Sequence, residues 1–252
     1  MGNKYQRNFL TKVIARIDFL SPMVSLQDVL LSSVSEASLK YFPIPEPKDA
    51  TLRVFSFGPE VRDIQKSQEI SSKEWHFFAK DRDRHLLISR DAMFVESEHY
   101  QSWDDYSKCF LDVCDALYDN YKDLQIKRLG LRFINNIEIP GLKQFQWNAY
   151  LNSNLLSIFK VPDDKSQISR AFHNLELNSG SFYVRFQYGM HNPDYPAPIK
   201  KRIFILDFDA YATGSLAKED LHQTLPLLHE EIVKLFENSI TERLRGIMNV
   251  PK

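Results

Sequence analysis

Two histidines near the C-terminus are the first candidates for chemistry. His222 and His229 lie seven residues apart in a predicted helix, so they share a face. Glu230 and Glu231 follow directly, and helical His and Glu side chains can bind a metal ion. The zinc-protease pattern needs a closer pair of histidines with a glutamate between them, and that pattern is absent. We therefore interpret this face as solvated and expect no metal or other cofactor.

A second candidate is the segment Asp207-Phe208-Asp209, which follows an apolar run at 203–206. This order resembles the nucleophile motif of haloacid-dehalogenase-type phosphotransferases. Such an enzyme also needs a downstream lysine and an acidic pair that hold Mg²⁺, whereas the chain after Asp209 is mainly one predicted helix. Ala210 stands where that family usually has Thr or Val. The favoured alternative is that both aspartates end a strand and begin a turn.

Motifs of the common nucleotide-dependent and serine-nucleophile enzymes are missing. The chain contains no Gly-x-Ser-x-Gly, Gly-x-Gly-x-x-Gly or Walker pattern. A nuclease with scattered acidic residues stays open. The sequence favours a protein without enzymatic activity and identifies no catalytic residue.

Basic and aromatic residues alternate on predicted strands in both halves of the chain. Residues of these types can pair with phosphates and stack on bases. The set comprises Arg16, Arg132, Arg170, His173, Tyr183, Arg185 and Tyr188. Within it, the candidate binding residues are Arg16, Arg132, Arg185 and Tyr183. The favoured alternative for Arg16 and Arg132 is a structural pairing with a strand-end carboxylate such as Asp18 or Asp207.

Apolar and polar residues alternate between Lys127 and Ile137, which predicts a central strand. Gly130 in its middle indicates a bulge or the close approach of another element. The segment 13–19 has the same arrangement, and Arg16 and Arg132 occupy equivalent positions. We infer an internal duplication with a period of about 116 residues, the separation of these arginines. Two unrelated amphipathic strands are the alternative.

Strands and helices follow in the same order in each half. The first half has a strand at 8–19, a helix at 25–39, a Pro-rich connector at 41–47, strands at 51–57, 69–80, 85–89 and 93–97, and a long helix at 98–122. The second has the central strand, a short helix at 149–159, strands at 167–178, 181–189 and 201–209, and a helix at 216–248. We also predict a polar loop at 58–68, a hairpin turn at 178–181, and a kink or fresh helix start at Pro226.

This order predicts an α+β fold. A duplicated strand–helix–antiparallel meander–long helix unit would form one curved antiparallel sheet backed by helices, in a TATA-binding-protein-like or helix-grip-like arrangement. The first repeat would span 1–125 and the second 126–252, together forming one compact pseudo-symmetric domain. Fold-level analogy of this kind says little about function.

Composition narrows the setting. The chain has 252 residues, 43% of them hydrophobic and 26% charged, which is typical of a globular protein. A net charge of −1 gives no bulk attraction to nucleic acid or anionic membranes. Cys109 and Cys114 give no disulfide framework, so we expect a reduced, cytoplasmic location. No apolar run reaches the roughly 20 residues of a membrane helix, so no membrane partner is expected.

The central segment Arg128-Leu129-Gly130-Leu131-Arg132-Phe133-Ile134-Asn135-Asn136-Ile137 resembles a known motif. It is similar to the central strand of a sporadically distributed prokaryotic family of about this length, and 100–103 and 206–209 match that family less specifically. The family has no settled function, so the resemblance carries over no catalytic residue. Its patchy distribution is typical of antiphage defence and toxin–antitoxin genes, which implies a protein partner encoded nearby.

Three functions follow as hypotheses. The favoured one is a non-enzymatic binding protein that acts through a protein partner, as an antitoxin-like or regulatory component of a prokaryotic defence module. The second is a nucleic-acid-binding or nucleic-acid-processing protein that uses the concave sheet face. The third is a small-molecule pocket between the sheet and the long helix, lined by aromatic residues such as Trp75, Tyr183 and Phe204. The oligomeric state is not predicted.

Overall fold

The computed structural model describes residues 5–26, 29–57, 64–143, 145–197, 199 and 202–249, with side chains outside 52–70. The strands are β1 Leu10–Phe19, β2 Ile44–Pro45, β3 Lys48–Phe57, β4 Ile64–Phe78, β5 Arg84–Ile88, β6 Ala92–Ser97, β7 Ile126–Glu138, β8 Ala171–Asn178, β9 Tyr183–Met190 and β10 Ile203–Leu216. The helices are α1 Ser32–Leu39, α2 Trp103–Asn120, α3 Lys218–Ser239 and α4 Glu242–Asn249, with short 3-10 segments at Val24–Leu26, Trp147–Ala149, Ser153–Lys160 and Lys165–Gln167.

The strands form an antiparallel sheet in the order β2-β4-β5-β6-β1-β7-β10-β9-β8, and β3 pairs with β4. The order is symmetric about the central pair β1–β7, since β6 and β10 flank it, followed by β5 and β9. The α+β fold with a curved antiparallel sheet backed by helices is therefore confirmed. Sequential hairpin connections on each side explain why two strand-rich repeats merge into one sheet.

The register of the central pair places the two arginines of the predicted repeat, which itself stays a prediction. Arg16 lies opposite Gly130, and Arg132 lies opposite Ile14. A twofold axis that exchanges Arg16 with Arg132 would therefore pass between Ala15 and Leu131, which pair with each other. Two arginines placed equivalently in sequence thus lie on opposite sides of the sheet's centre.

One face of the sheet forms the core. In β1 the alternating residues Val13, Ala15, Ile17 and Phe19 are buried, as period-two alternation requires. The long helices cover this inner face, and α2 buries Tyr106, Phe110, Val113, Cys114 and Leu117 at helical spacing. Helix α2 begins at Ser102, whose hydroxyl accepts a hydrogen bond of 3.2 Å from the backbone N–H of Asp105. This cap fixes where Trp103 enters the helix.

Two predictions about β7 and β10 are wrong. Gly130 makes no bulge, because the ladder runs through it in register; the close approach is that of Arg128, whose guanidinium lies 2.6 Å from where a Cβ would stand. Asp207 and Asp209 do not end a strand, since β10 continues to Leu216. They lie in mid-strand, where each pairs with an arginine of β7.

The C-terminal helix also differs from its prediction. Of the two alternatives predicted at Pro226, the fresh helix start is wrong because α3 runs through the proline, and the kink stays a prediction. The chain breaks near Ile240, where α4 follows. Buried leucines on both sides of Pro226, Leu225 and Leu228, hold the helix against the core. Packing therefore overrides the local cost of a proline.

Shorter elements differ in their bounds. The predicted helix at 25–39 is a 3-10 turn followed by α1, and the predicted helix at 149–159 is 3-10 in character. The polar loop predicted at 58–68 is wrong for 64–68, which belong to β4, while 58–63 lie outside the described residues. Polar residues can continue this strand because its pairing with β3 uses backbone groups.

Candidate ligand-binding site

The four binding residues selected from sequence all lie on the outer face of the sheet, opposite the helices. Arg132 and Arg185 each lie directly opposite Asp209 on β10. Tyr183 is 39% exposed and stacks on Tyr211, with ring centroids 5.6 Å apart. Arg16 lies on β1, directly opposite Gly130 of β7.

Each of these arginines already pairs with a carboxylate. Arg132 donates two hydrogen bonds to Asp207, of 2.8 and 2.6 Å, and Arg16 lies 2.6 Å from Asp18. These are the partners that the structural alternative named. Arg185 donates to Glu176 at 3.1 Å. Ligand binding by the four residues stays a prediction.

Two further cations, Arg128 and Lys12, join this outer-face network. Arg128 contacts Asp209 at 3.1 Å and Asp18 at 3.7 Å, and its guanidinium lies 4.7 Å from the ring centroid of Tyr211. Lys12 pairs with Glu96 at 2.5 Å. Five cations and five carboxylates therefore neutralise one another: Lys12, Arg16, Arg128, Arg132 and Arg185, against Asp18, Glu96, Glu176, Asp207 and Asp209.

The other members of the basic and aromatic set do not join this face. His173 and Tyr188 stack on each other on the inner side, with centroids 4.9 Å apart. Arg170 lies before β8, and its guanidinium is 4.7 Å from the Tyr195 ring centroid. The set therefore does not form one basic surface.

A cavity of about 700 Å³ lies on the inner face, between the sheet and helix α3. The C-terminal part of β7 forms the floor of the cavity, and α3 and the first turn of α2 form its sides. Residues just before β1 and at its start also line it. The main contributors are Tyr100, Trp103, Asp104, Phe133, Asn135, His229, Glu230 and Val233. This size lies within the usual range of small-molecule sites.

Aromatic rings from three elements form one continuous part of its wall. The Trp103 indole and the His229 imidazole are stacked, with centroids 3.9 Å apart and planes 6° apart. Phe133 lies 5.8 Å from His229 and 5.5 Å from Tyr100. Three separate elements, the start of α2, the end of β7 and the middle of α3, thus meet around one continuous aromatic surface.

Burial sets the protonation state of two of these groups. Desolvation lowers the pKa of His229 from 6.5 to about 4, so the imidazole is neutral at physiological pH. Desolvation likewise raises the pKa of Tyr100 above its ordinary value, which keeps the phenol protonated. The interpretation of the His222 and His229 face as solvated is therefore wrong for His229. His222 lies outside the cavity and its Nε2 is 2.9 Å from Asp115.

The sequence predicted a pocket in this place but not its lining. Trp75 donates through Nε1 to the Leu26 carbonyl at 3.1 Å, Phe204 is fully buried, and Tyr183 lies on the opposite face. The sequence placed Trp103 on the apolar face of one predicted helix and His229 on another. It gave no sign that the two side chains meet. Only tertiary packing brings these two residues together.

Metal-ligand geometry and membrane-spanning helices are both absent from the described ranges. No group of three or more His, Cys, Asp or Glu side chains there is arranged to hold a metal ion. No described helix is both long and apolar enough to cross a bilayer.

Comparisons with known proteins find a likeness among solved structures but none among families or curated proteins. No protein-family model and no curated protein matches the chain. Among solved structures, it is similar to Methanococcus jannaschii TBP, with 10% sequence identity, a TM-score of 0.26, and coverage of 91% of this chain and 99% of that one.

Proposed function

We propose that this protein is a binding protein whose ligand occupies the cavity between the sheet and α3. The observation that supports it is a concave, aromatic-lined space of about 700 Å³ into which a few polar side chains also face. Aromatic walls supply apolar contact, and isolated polar groups fix a ligand's orientation. The stacked Trp103 and His229 are held by α2 and α3, so the wall is formed before a ligand arrives.

A melting-temperature screen against a library of small molecules tests this proposal. Val233 lines the cavity, so Val233→Trp should fill it and abolish the shifts that ligands cause in the wild type. The matched control is Val24→Trp, because Val24 is 69% exposed and lies outside the cavity. The proposal fails if no compound shifts the wild type, or if shifts survive in Val233→Trp.

A protein partner is a second candidate, and one observation favours it. Strand β8 is an edge of the sheet, and two of its apolar residues, Phe172 and Leu175, are 39% and 45% exposed. An edge strand with exposed apolar side chains can accept a strand from another chain. The proposed partner would be a neighbouring gene product of a defence or toxin–antitoxin module. Co-purification with the wild type, lost on Leu175→Lys, would support it; retention by the variant would count against this surface.

A further inference from the structure

Carboxylates and one buried amide residue are among the polar groups that line the cavity. Asn135 is 5% exposed, and its amide donates to the Leu206 carbonyl at 3.3 Å. This bond leaves the side-chain oxygen of Asn135 without a donor in the described part of the chain, and the residue lines the cavity floor. An acceptor that lines the cavity without a donor can receive a hydrogen bond from a ligand N–H group.

Two carboxylates at the cavity rim are also without partners. Asp104 and Glu230 line the cavity, and neither forms an ion pair with another described residue. The third lining carboxylate, Glu237, is engaged, since it accepts from Tyr5 at 2.6 Å and from Arg245 at 2.8 Å. The first two are therefore available to a ligand.

Cationic side chains do not balance these acceptors. Among the described lining residues the basic side chain is Lys234, whose ammonium lies 3.2 Å from Glu231 on the same helix. His229 is neutral and stacked on Trp103. The described lining residues therefore combine excess negative charge with aromatic faces, and both attract cations.

We infer that the cavity selects an organic cation, a primary amine or guanidinium carried on a flat apolar body. The body would lie along Tyr100, Trp103 and Phe133, with the cationic N–H groups directed to Asn135 and Glu230. This inference rests on the proposed ligand-binding function and adds the chemical class of the ligand.

Three indoles that differ in the charge of the side chain test the class. Titration calorimetry at pH 7.5 would compare tryptamine, which is cationic, with tryptophol, which is neutral, and indole-3-acetate, which is anionic. We expect tryptamine to bind about tenfold more tightly than tryptophol, and indole-3-acetate to bind least. Glu230→Gln should weaken tryptamine about fivefold and leave tryptophol unchanged. The matched control, Glu219→Gln, removes an exposed carboxylate in the first turn of α3 and should change neither.

The outcomes distinguish failure of the inferred ligand class from failure of the proposed binding function. Equal affinity for the three indoles would overturn the cation inference and leave the binding proposal standing. Tighter binding of indole-3-acetate than of tryptamine would also overturn it, because the cavity would then prefer an anion. If none binds while the library screen finds ligands that Val233→Trp excludes, the class is wrong and the function stands. If the screen also finds none, both fail.

Discussion

Asp207 and His229 show how this protein accommodates two ionisable side chains on opposite faces of its sheet. Asp207 is 6% exposed and receives two hydrogen bonds from Arg132. His229 instead stacks on Trp103 and loses its charge, since desolvation lowers its pKa to about 4. The first is a local ion pair, whereas the second gives a neutral ring facing the cavity.

Arg132 and Arg16 should differ in their contribution to stability, although the predicted repeat makes them equivalent. Arg132→Ala leaves the buried Asp207 without its partner, which we expect to lower the free energy of unfolding by about 2 kcal/mol. Arg16→Ala removes an arginine whose side chain is 46% exposed, and should cost less than about 1 kcal/mol. Urea denaturation of both variants measures the difference. Equal losses would show that the Asp207 pair is no stronger than an exposed one.

Protonation of His229 should make the folded protein less stable in mild acid. Its pKa in the folded protein is lowered to about 4 from 6.5, so below pH 6.5 the unfolded chain binds the proton more readily. The contribution of the neutral ring is therefore full above pH 6.5 and is lost as the pH falls towards 4. After allowance for its partial exposure, we expect about 1–2 kcal/mol across this range.

His229→Phe keeps an aromatic ring against Trp103 and cannot titrate, so it should show a smaller loss between pH 7 and pH 4.5. The loss should not vanish, because desolvation also lowers the pKa of His85 to about 4. The control is His99→Phe at an exposed position. Parallel pH curves for the wild type and His229→Phe, measured by urea denaturation, would contradict the assignment.

Among the elements, helix α3 carries both core and cavity residues. It also contains Pro226, and proline is normally found at the start of a helix and not in its interior. Pro226 has no N–H to donate to the carbonyl one turn back, yet the helix is continuous from Lys218 to Ser239. Its apolar side packs on β7 and β10, and that packing offsets the missing bond. The helix thus tolerates a local defect beside the cavity.

Pro226→Ala should therefore stabilise the protein. Restoring the hydrogen bond should raise the free energy of unfolding by about 1–3 kcal/mol, or the melting temperature by about 2–4 °C per kcal/mol. Pro193→Ala, in the loop after β9, is the comparison and should be neutral or slightly destabilising. A drop in melting temperature for Pro226→Ala would show that the proline ring packs too well to replace.

Local patterns predicted the elements better than the site. The hairpin at 178–181 follows from its Asn and Gly, since Asn178 accepts from the Gly180 N–H at 2.8 Å and Gly180 has a φ of 85°. The central strand follows from alternation. The lining of the cavity could not be derived, because Phe133, Trp103 and His229 are distant in sequence and meet only after α2 and α3 pack on the sheet.

At the scale of the whole molecule, the arginines on the described part of the sheet's outer face are balanced by carboxylates. Its ion pairs form along and across strands, so each guanidinium is screened from solution by a carboxylate of the same face. Nucleic-acid binding requires free cations, because affinity comes from counterions that phosphate contacts release. The charge balance therefore favours the cavity over this face as the working site.

Salt dependence tests that conclusion. If a single-stranded oligonucleotide binds at all, its affinity measured by fluorescence anisotropy should change by less than about threefold between 50 and 200 mM salt, since few phosphates are neutralised. Replacing Glu176 with Gln frees Arg185, its exposed partner, and should steepen the dependence by about one unit in the logarithmic slope. Glu219→Gln on α3 removes the same charge from the other side of the molecule and should leave it unchanged. A steep slope in the wild type that Arg16→Ala, Arg132→Ala and Arg185→Ala each reduce would instead make the outer face a nucleic-acid site, with its carboxylates displaced by phosphate.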